Sequence, residues 1–87
     1  MLNYTVHFRN VNDFRNYANM TYRFHIAGYV EGKDFKENMY ALLEILFHCP
    51  MDRLTMTLTK YDPKEIPELE QYLSDTGLLA ETNDMAA

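Results

Sequence analysis

The segment from Gly32 to Thr59 places the strongest constraint on what this chain can fold into. Within it, apolar residues recur at i, i+3, i+4 and i+7, which is the spacing of one buried stripe on an amphipathic helix. The members of this stripe are Met39, Leu42, Leu43 and Leu46. After Pro50 the pattern changes to strict alternation of apolar residues with threonines, which predicts a half-buried strand over Arg53–Lys60. A helix and a strand with one apolar face each need partners, so the segment predicts a mixed α and β domain.

Alternation also predicts three further strands, of which the last is a short edge strand that follows a tight turn at Glu31-Gly32. These strands are Leu2–Phe8, Phe24–Val30 and Lys33–Lys36. The strands expose a second, polar face, which we expect to be solvated. Its residues are Thr5, His7, Thr55, Thr57 and Thr59.

Start and stop signals predict three helices. The first is capped by Asn12 or Asp13 and ends at Arg23, and the central helix runs from Glu37 to Phe47, because Pro50 cannot continue it. The last helix begins at Asp62-Pro63, an N-cap followed by proline. Its inner face is predicted to consist of Ile66, Leu69, Tyr72 and Leu73, and Pro67 is tolerated because it falls in the first turn. The helix is predicted to end at Gly77 in the left-handed conformation, with Leu78 making the apolar contact that accompanies such a cap.

The predicted order of elements is therefore β-α-β-β-α-β-α. We interpret this as an α+β open-faced sandwich, in which a small, mainly antiparallel four-stranded sheet carries three helices on one face. A chain of 87 residues has room for one domain, predicted over residues 1–79, with residues 80–87 as a flexible C-terminal tail.

Composition excludes several classes of function. The net charge is −5 and no cluster of lysine and arginine occurs, which argues against nucleic-acid binding. The single cysteine, Cys49, rules out an internal disulfide and fits a reducing cytoplasm. No apolar stretch is long enough to span a membrane. We therefore expect a cytoplasmic protein that binds neither membrane nor nucleic acid.

The residues that could carry chemistry do not form a catalytic pattern. His7, His25 and His48 lack metal-ligand spacing, and surface or capping roles are expected for all three. Cys49 follows a helix C-terminus, where the helix dipole does not favour a thiolate. The chain also lacks a glycine-rich phosphate loop and a paired carboxylate motif. The residues therefore predict a protein that is not an enzyme and holds no cofactor or metal.

The order and spacing of the elements over residues 2–74 resemble HPr, the histidine phosphocarrier family of the bacterial sugar phosphotransferase system. The motifs that carry the resemblance are the turn Glu31-Gly32-Lys33, the helix Asn38 to Leu46 and the strand that opens with Asp52-Arg53-Leu54 and continues to Thr57. In this family a histidine at the N-terminus of the first helix, in the motif His-x-Arg-Pro, carries the phosphoryl group. The free N–H groups and dipole of a helix N-terminus suit that role.

The chain departs from this family at both of its phosphorylation sites. The stretch that matches the motif is Asp13-Phe14-Arg15-Asn16, so Asp13 stands in place of the histidine and Asn16 in place of the proline, while Arg15 is retained. Many relatives also carry a regulatory serine at the start of the second helix, and that position falls at Met39. The resemblance therefore implies an HPr-like protein that has lost its phosphocarrier chemistry.

In the resembled family the first and second helices dock protein partners. The matching residues here are Arg15, Asn16, Asn19, Met39, Tyr40 and Glu44. The leading hypothesis is a protein-binding or regulatory module whose partner is a component of the phosphotransferase or carbon-regulation system. Two alternatives stay open: a phosphocarrier whose acceptor has shifted to Asp13 with Arg15 as a clamp, and a small domain that associates with itself as a homodimer.

Overall fold

A computed structural model describes residues 1–80 of the chain, apart from the side chain of Met51. It confirms the α+β class and the order of the elements. These are β1 (Leu2–Phe8), α1 (Val11–Arg23), β2 (Ile26–Glu31), β3 (Lys36–Asn38), α2 (Leu42–Phe47), β4 (Met51–Tyr61) and α3 (Ile66–Thr76), with a 3-10 turn (Pro63–Glu65) leading into α3.

The four strands form one antiparallel sheet in the order β1-β4-β2-β3. The register places Val6 of β1 opposite Leu54 of β4, and Val30 of β2 opposite Met56. All four side chains are buried in the one core. Because alternate residues of a strand share a face, the apolar set of every long strand points to the same side, where the helices pack.

The outer edge of β1 is covered by the residues that follow α3. Leu79 forms an antiparallel bridge with Val6. On either side of this bridge the His7 amide donates to the Leu78 carbonyl at 3.0 Å, and the Ala80 amide donates to the Thr5 carbonyl at 2.9 Å. An edge strand that is paired in this way no longer offers a free row of backbone groups. The tail predicted for residues 80–87 lies outside the described residues beyond Ala80.

The polar face of the sheet differs from the prediction at Thr57. Thr59 is exposed and Thr5 is half-buried, but Thr57 is buried. The register explains this difference, because Thr57 is on the central strand and has Asn3 of β1 on one side and Tyr29 of β2 on the other. The Thr57 hydroxyl donates to Asn3 Oδ1 at 2.8 Å, which satisfies its hydrogen-bonding capacity away from water.

The predicted edge strand Lys33–Lys36 and the predicted start of the central helix at Glu37 are both wrong. The turn spans Gly32 to Phe35, closed by a 3.0 Å hydrogen bond from the Gly32 amide to the Phe35 carbonyl. The returning strand therefore begins only at Lys36, and Glu37 pairs with Val30 as part of β3. Helix α2 cannot start until this pairing ends, and it begins at Leu42 with Ala41 as its N-cap.

The buried face of α2 is also not the predicted stripe. Within the helix the fully buried residue is Ile45, whereas Leu43 is 66% exposed and Leu46 is 40% exposed. Met39 is buried too, but from the turn that precedes the helix. Because the helix starts later than predicted, Met39 and Leu43 do not lie on consecutive turns of it, and the i, i+4 relation between them is lost.

The predicted inner face and C-terminal cap of the last helix are confirmed, but its predicted start is wrong, because Asp62 caps the 3-10 turn Pro63–Glu65 and α3 begins only at Ile66. Asp62 accepts a hydrogen bond from the Lys64 amide at 3.0 Å, and Leu69 and Leu73 are fully buried. Gly77 ends the helix with a φ of 77°, and the Leu78 amide donates to the Leu73 carbonyl. This is the left-handed cap in which glycine avoids the strain that a Cβ would bring.

The two possible faces of α2 can be separated by alanine substitutions. We expect Ile45→Ala to lower the free energy of unfolding by about 2–5 kcal/mol, because it leaves a cavity in the core. Leu43→Ala removes an exposed side chain and should change it by less than about 0.5 kcal/mol. Urea unfolding of the two variants measures both values. A larger loss for Leu43→Ala than for Ile45→Ala would show that the predicted stripe is the buried one.

Candidate functional site

The N-terminus of α1 is capped by Asn10, and neither Asn12 nor Asp13 is the cap. Asn10 has extended backbone geometry, with φ of −158° and ψ of 179°, and its Oδ1 accepts a hydrogen bond from the Asp13 amide at 2.9 Å. An Asn followed three residues later by an acidic residue is close to the capping-box pattern, so this pattern in the sequence could have identified Asn10.

Asp13 is therefore the third residue of the helix, and its side chain is buried. The carboxylate accepts hydrogen bonds from the Arg9 backbone amide at 2.9 Å and from the Arg9 guanidinium at 2.8 Å. The Arg9 side chain is the main reason that the pKa of Asp13 lies below its usual value, and burial acts in the opposite direction. The same guanidinium donates to the Gly77 carbonyl at 3.3 Å, so Arg9 connects the start of α1 with the end of α3.

This geometry bears on the alternative of a shifted phosphoryl acceptor. Asp13 is 3% exposed and both of its carboxylate oxygens accept hydrogen bonds from Arg9, which leaves little access for an incoming phosphoryl donor. Arg15 is exposed, and in residues 1–80 it makes no hydrogen bond or ion pair with Asp13 or any other group. The structure thus does not bring Asp13 and Arg15 together as acceptor and clamp.

The second position that matters to the resemblance is the start of α2. The structure places Ala41 there as the N-cap, without a side-chain cap hydrogen bond, and moves Met39 into the preceding turn. Neither residue has a hydroxyl group.

A small apolar cavity lies between the start of α1 and the end of α2. Its volume is about 220 Å³, and it is lined by Arg9, Asn10, Val11, Phe14, Leu46, Cys49 and Pro50. Burial raises the pKa of the Cys49 thiol, which keeps it in the neutral form, and its Sγ lies 3.5 Å from the Ile45 carbonyl oxygen. The cavity is suited to an apolar group and offers no nucleophile for chemistry.

The start of α1 lies near the end of α2, and the end of α1 lies near the residues that precede α2. The cavity joins Val11, at the start of α1, with Leu46, near the end of α2. A second depression joins Tyr22, near the end of α1, with Tyr40, just before α2. This pairing of ends brings the exposed apolar residues of both helices onto one surface.

We call this surface the α1–α2 face. Its exposed apolar members are Val11, Tyr22, Tyr40, Leu43, Leu46 and Phe47, with Phe47 83% and Tyr22 82% exposed. Together with Met1 they are all the large hydrophobic residues that are exposed in the described part of the chain. Single exposed apolar side chains are ordinary, but a contiguous group of them marks an interaction site.

The structure brings part of the predicted contact set to this face. Tyr40, Glu44 and Arg15 are exposed on or beside it, and the Tyr40 hydroxyl donates to the Ile26 carbonyl. Met39 is fully buried, so its prediction as a contact residue is wrong. Its carbonyl instead accepts a hydrogen bond from the buried Tyr17 hydroxyl.

The two remaining predicted contact residues, Asn16 and Asn19, lie on α1. Asn16 is half-buried and its carbonyl accepts a hydrogen bond from the Tyr72 hydroxyl at 2.7 Å, which places it on the side of α1 that meets α3. Asn19 is exposed. Sequence reasoning missed Leu43, Leu46 and Phe47 because it placed the first two in a buried stripe. The signal that could have identified them is the later start of α2, which depends on the pairing of β3.

The three histidines have local partners. His7 Nε2 lies 2.7 Å from the Gly77 carbonyl oxygen, and His25 Nδ1 lies 3.1 Å from Glu65. The His48 ring stacks on Phe35 with centroids 4.0 Å apart, next to the end of α2. Among residues 1–80 no group of three or more potential ligands could hold a metal ion. These contacts agree with capping and surface roles.

Comparison of the chain with protein-family models, curated proteins and solved structures finds no match. In the described residues no helix has the length and apolar character needed to cross a membrane. Any functional assignment therefore depends on the α1–α2 face and its surroundings.

The bonded Asp13 carboxylate predicts a specific pH dependence. The pKa of Asp13 is lower in the folded than in the unfolded chain. The carboxylate therefore stabilises the folded state fully when the pH is above the unfolded pKa, near 3.9, and this stabilisation is lost as the pH falls through the folded pKa. We expect Asp13→Asn to reduce the free energy of unfolding at pH 7 by about 1–3 kcal/mol. The variant should also lose less stability than the parent between pH 4 and pH 2.

Urea unfolding at several pH values measures this dependence. Asp34→Asn is a suitable control, because Asp34 is exposed in the turn between β2 and β3. If the parent and Asp13→Asn lost stability in parallel on acidification, the Asp13 carboxylate would not be the group responsible.

Proposed function

We propose that this chain is an HPr-like protein-binding module that lacks phosphocarrier activity and acts in the bacterial cytoplasm. The observation that carries the proposal is the α1–α2 face, where Leu43, Leu46 and Phe47 are exposed on a helix that buries only Ile45 fully. Exposing three large apolar side chains on a six-residue helix has no structural benefit, and it suits a surface that another protein covers.

The surroundings of the face support binding over chemistry. The acidic residue nearest the helix N-terminus, Asp13, is buried and held by Arg9, and the one cysteine is a half-buried neutral thiol. The face therefore offers a cavity and exposed apolar area for binding, whereas the Asp13 carboxylate and the Cys49 thiol beside it are not exposed as nucleophiles. A single free cysteine also fits the reducing cytoplasm that we propose as its location.

The choice of partner class comes from the resemblance. The observed order of strands and helices agrees with the order on which the resemblance to HPr depends. In that family the partners dock on apolar residues of the second helix, and the exposed apolar residues of this chain are concentrated on its second helix. We therefore propose a component of the sugar phosphotransferase or carbon-regulation system as the partner.

Partner binding can be measured by NMR titration of the labelled protein with the first enzyme of the phosphotransferase system and with a sugar permease subunit. We expect chemical-shift changes at Tyr40, Leu43, Leu46 and Phe47, since an apolar contact there changes their surroundings. Leu43→Glu should weaken binding by at least about tenfold, because it places a charge in an apolar contact.

The control for this titration is Thr59→Glu, which adds the same charge on the opposite, polar face of the sheet. It should leave binding unchanged. Binding that is lost equally in both variants, or shift changes that fall on β4 and not on α2, would contradict the proposal.

Phosphoenolpyruvate and the first enzyme of the system test the loss of carrier activity. We expect no phosphoprotein, since Asn10 stands at the N-terminus of α1 and Asp13 is buried. Intact-mass measurement checks this outcome. A stoichiometric phosphoprotein that disappears in Asp13→Asn, with the lability of an acyl phosphate, would establish the shifted acceptor instead.

A further inference from the structure

We propose that in the isolated protein the α1–α2 face is covered by a second copy of the chain. The two copies form a dimer with a two-fold axis parallel to α2, in which Phe47 of each copy enters the cavity of the other. The proposal concerns the protein alone and can be tested without the partner that the proposed function requires.

Phe47 and the cavity are complementary features of one short segment. Phe47 is the most exposed of the large hydrophobic residues in the described chain, and its neighbour Leu46 lines the cavity. Phe47 follows the buried Ile45 by two positions, so its side chain points about 200° away, out of the fold. It cannot fill the cavity of its own chain. The cavity, at about 220 Å³, is smaller than a site for a drug-sized ligand and has the scale of one side chain.

The charges flanking α2 favour the same arrangement. Leu46 faces the start of α1 across the cavity, and Glu44, about 200° from Leu46 around the helix, therefore lies on the other flank of α2. On α1, Arg15 follows Val11 by four residues and lies on the same side of the helix as Val11, which lines the cavity. Within one chain these two charges are thus on opposite sides of α2.

A two-fold rotation about an axis parallel to α2 exchanges its two flanks. The α1 of the second copy then lies beside the flank that carries Glu44, which brings Glu44 of each copy toward Arg15 of the other. The same rotation keeps the position along α2, so Phe47, at the C-terminal end, meets the cavity at that same end of the second copy. One symmetry operation therefore satisfies the apolar contact and the charge contact together, as an isologous interface requires.

The size of the face indicates a reversible dimer. From Val11 to Tyr22 helix α1 extends ~16 Å, and two adjacent helices, each about 10 Å in diameter, are about 20 Å wide, which gives roughly 300 Å². Stable complexes bury about 800 Å² on each partner, so the dimer should dissociate on dilution. Because it uses the face proposed for partner docking, self-association and partner binding exclude each other, and protein concentration sets how much of the face is free.

Sedimentation velocity from about 1 μM to about 1 mM measures the association. We expect a monomer–dimer equilibrium, which Phe47→Ala weakens by at least about tenfold, as for a central aromatic contact. Circular dichroism confirms that the variant is folded, which is expected because Phe47 is a surface residue. A monomer at every concentration overturns the proposal, and so does a dimer that Phe47→Ala does not weaken.

A charge exchange tests the arrangement itself. Glu44→Arg and Arg15→Glu should each weaken the dimer, because like charges then meet across the interface, and the double variant should associate nearly as well as the parent. Asp34→Arg, which makes the same change of charge as Glu44→Arg in an exposed turn, should have no effect. If the double variant dimerised no more tightly than the single variant with the weaker association, the pairing of Glu44 with Arg15 and the proposed axis would be overturned.

Discussion

The pairing of β4 with both of its neighbours is the interaction on which the rest of the structure depends. This eleven-residue strand lies between β1 and β2, and its alternation sets which residues of both neighbours face the core. A slip of one residue would turn the apolar set of a strand toward water. The close approach of β2 requires Gly28, since a Cβ at that position would lie 1.9 Å from the Thr57 carbonyl oxygen. The bulge between Ala27 and Gly28 lies at this contact.

The sequence predicts well the features that are decided locally. Alternation identified β1, and Gly77 identified the end of α3, because both signals lie within the element or directly beside it. The start of α2 could not be predicted in this way. The apolar pattern of this segment fits a helix that begins at Glu37. Glu37 instead pairs with Val30 of β2 as part of β3, so the helix cannot begin there. The exposed members of the α1–α2 face were missed for the same reason, while Arg15, Tyr40 and Glu44 were predicted from the resemblance.

The start of α1 shows how a shift of three residues changes a chemical interpretation. If Asp13 were the cap, its carboxylate would be open at the helix N-terminus, where an anion or phosphoryl group is stabilised. With Asn10 as the cap, the carboxylate turns back to Arg9 and is removed from water. Asn10 and Asp13 both favour helix starts, so propensity alone does not separate them. The contact with Arg9, and through it with Gly77, is tertiary and decides between them.

Helix α2 is too short to be stable by its own hydrogen bonds, because six residues barely exceed the nucleus of a helix. One buried side chain and one contact just beyond its C-terminal end keep it folded: Ile45 lies in the core, and the His48 ring that follows the helix stacks on Phe35. These contacts use only one side of the helix. The other side is free of structural constraint, and polar residues there would be more soluble than Leu43 and Phe47. Their presence on a helix already held by other contacts is the reason to interpret the α1–α2 face as a binding surface.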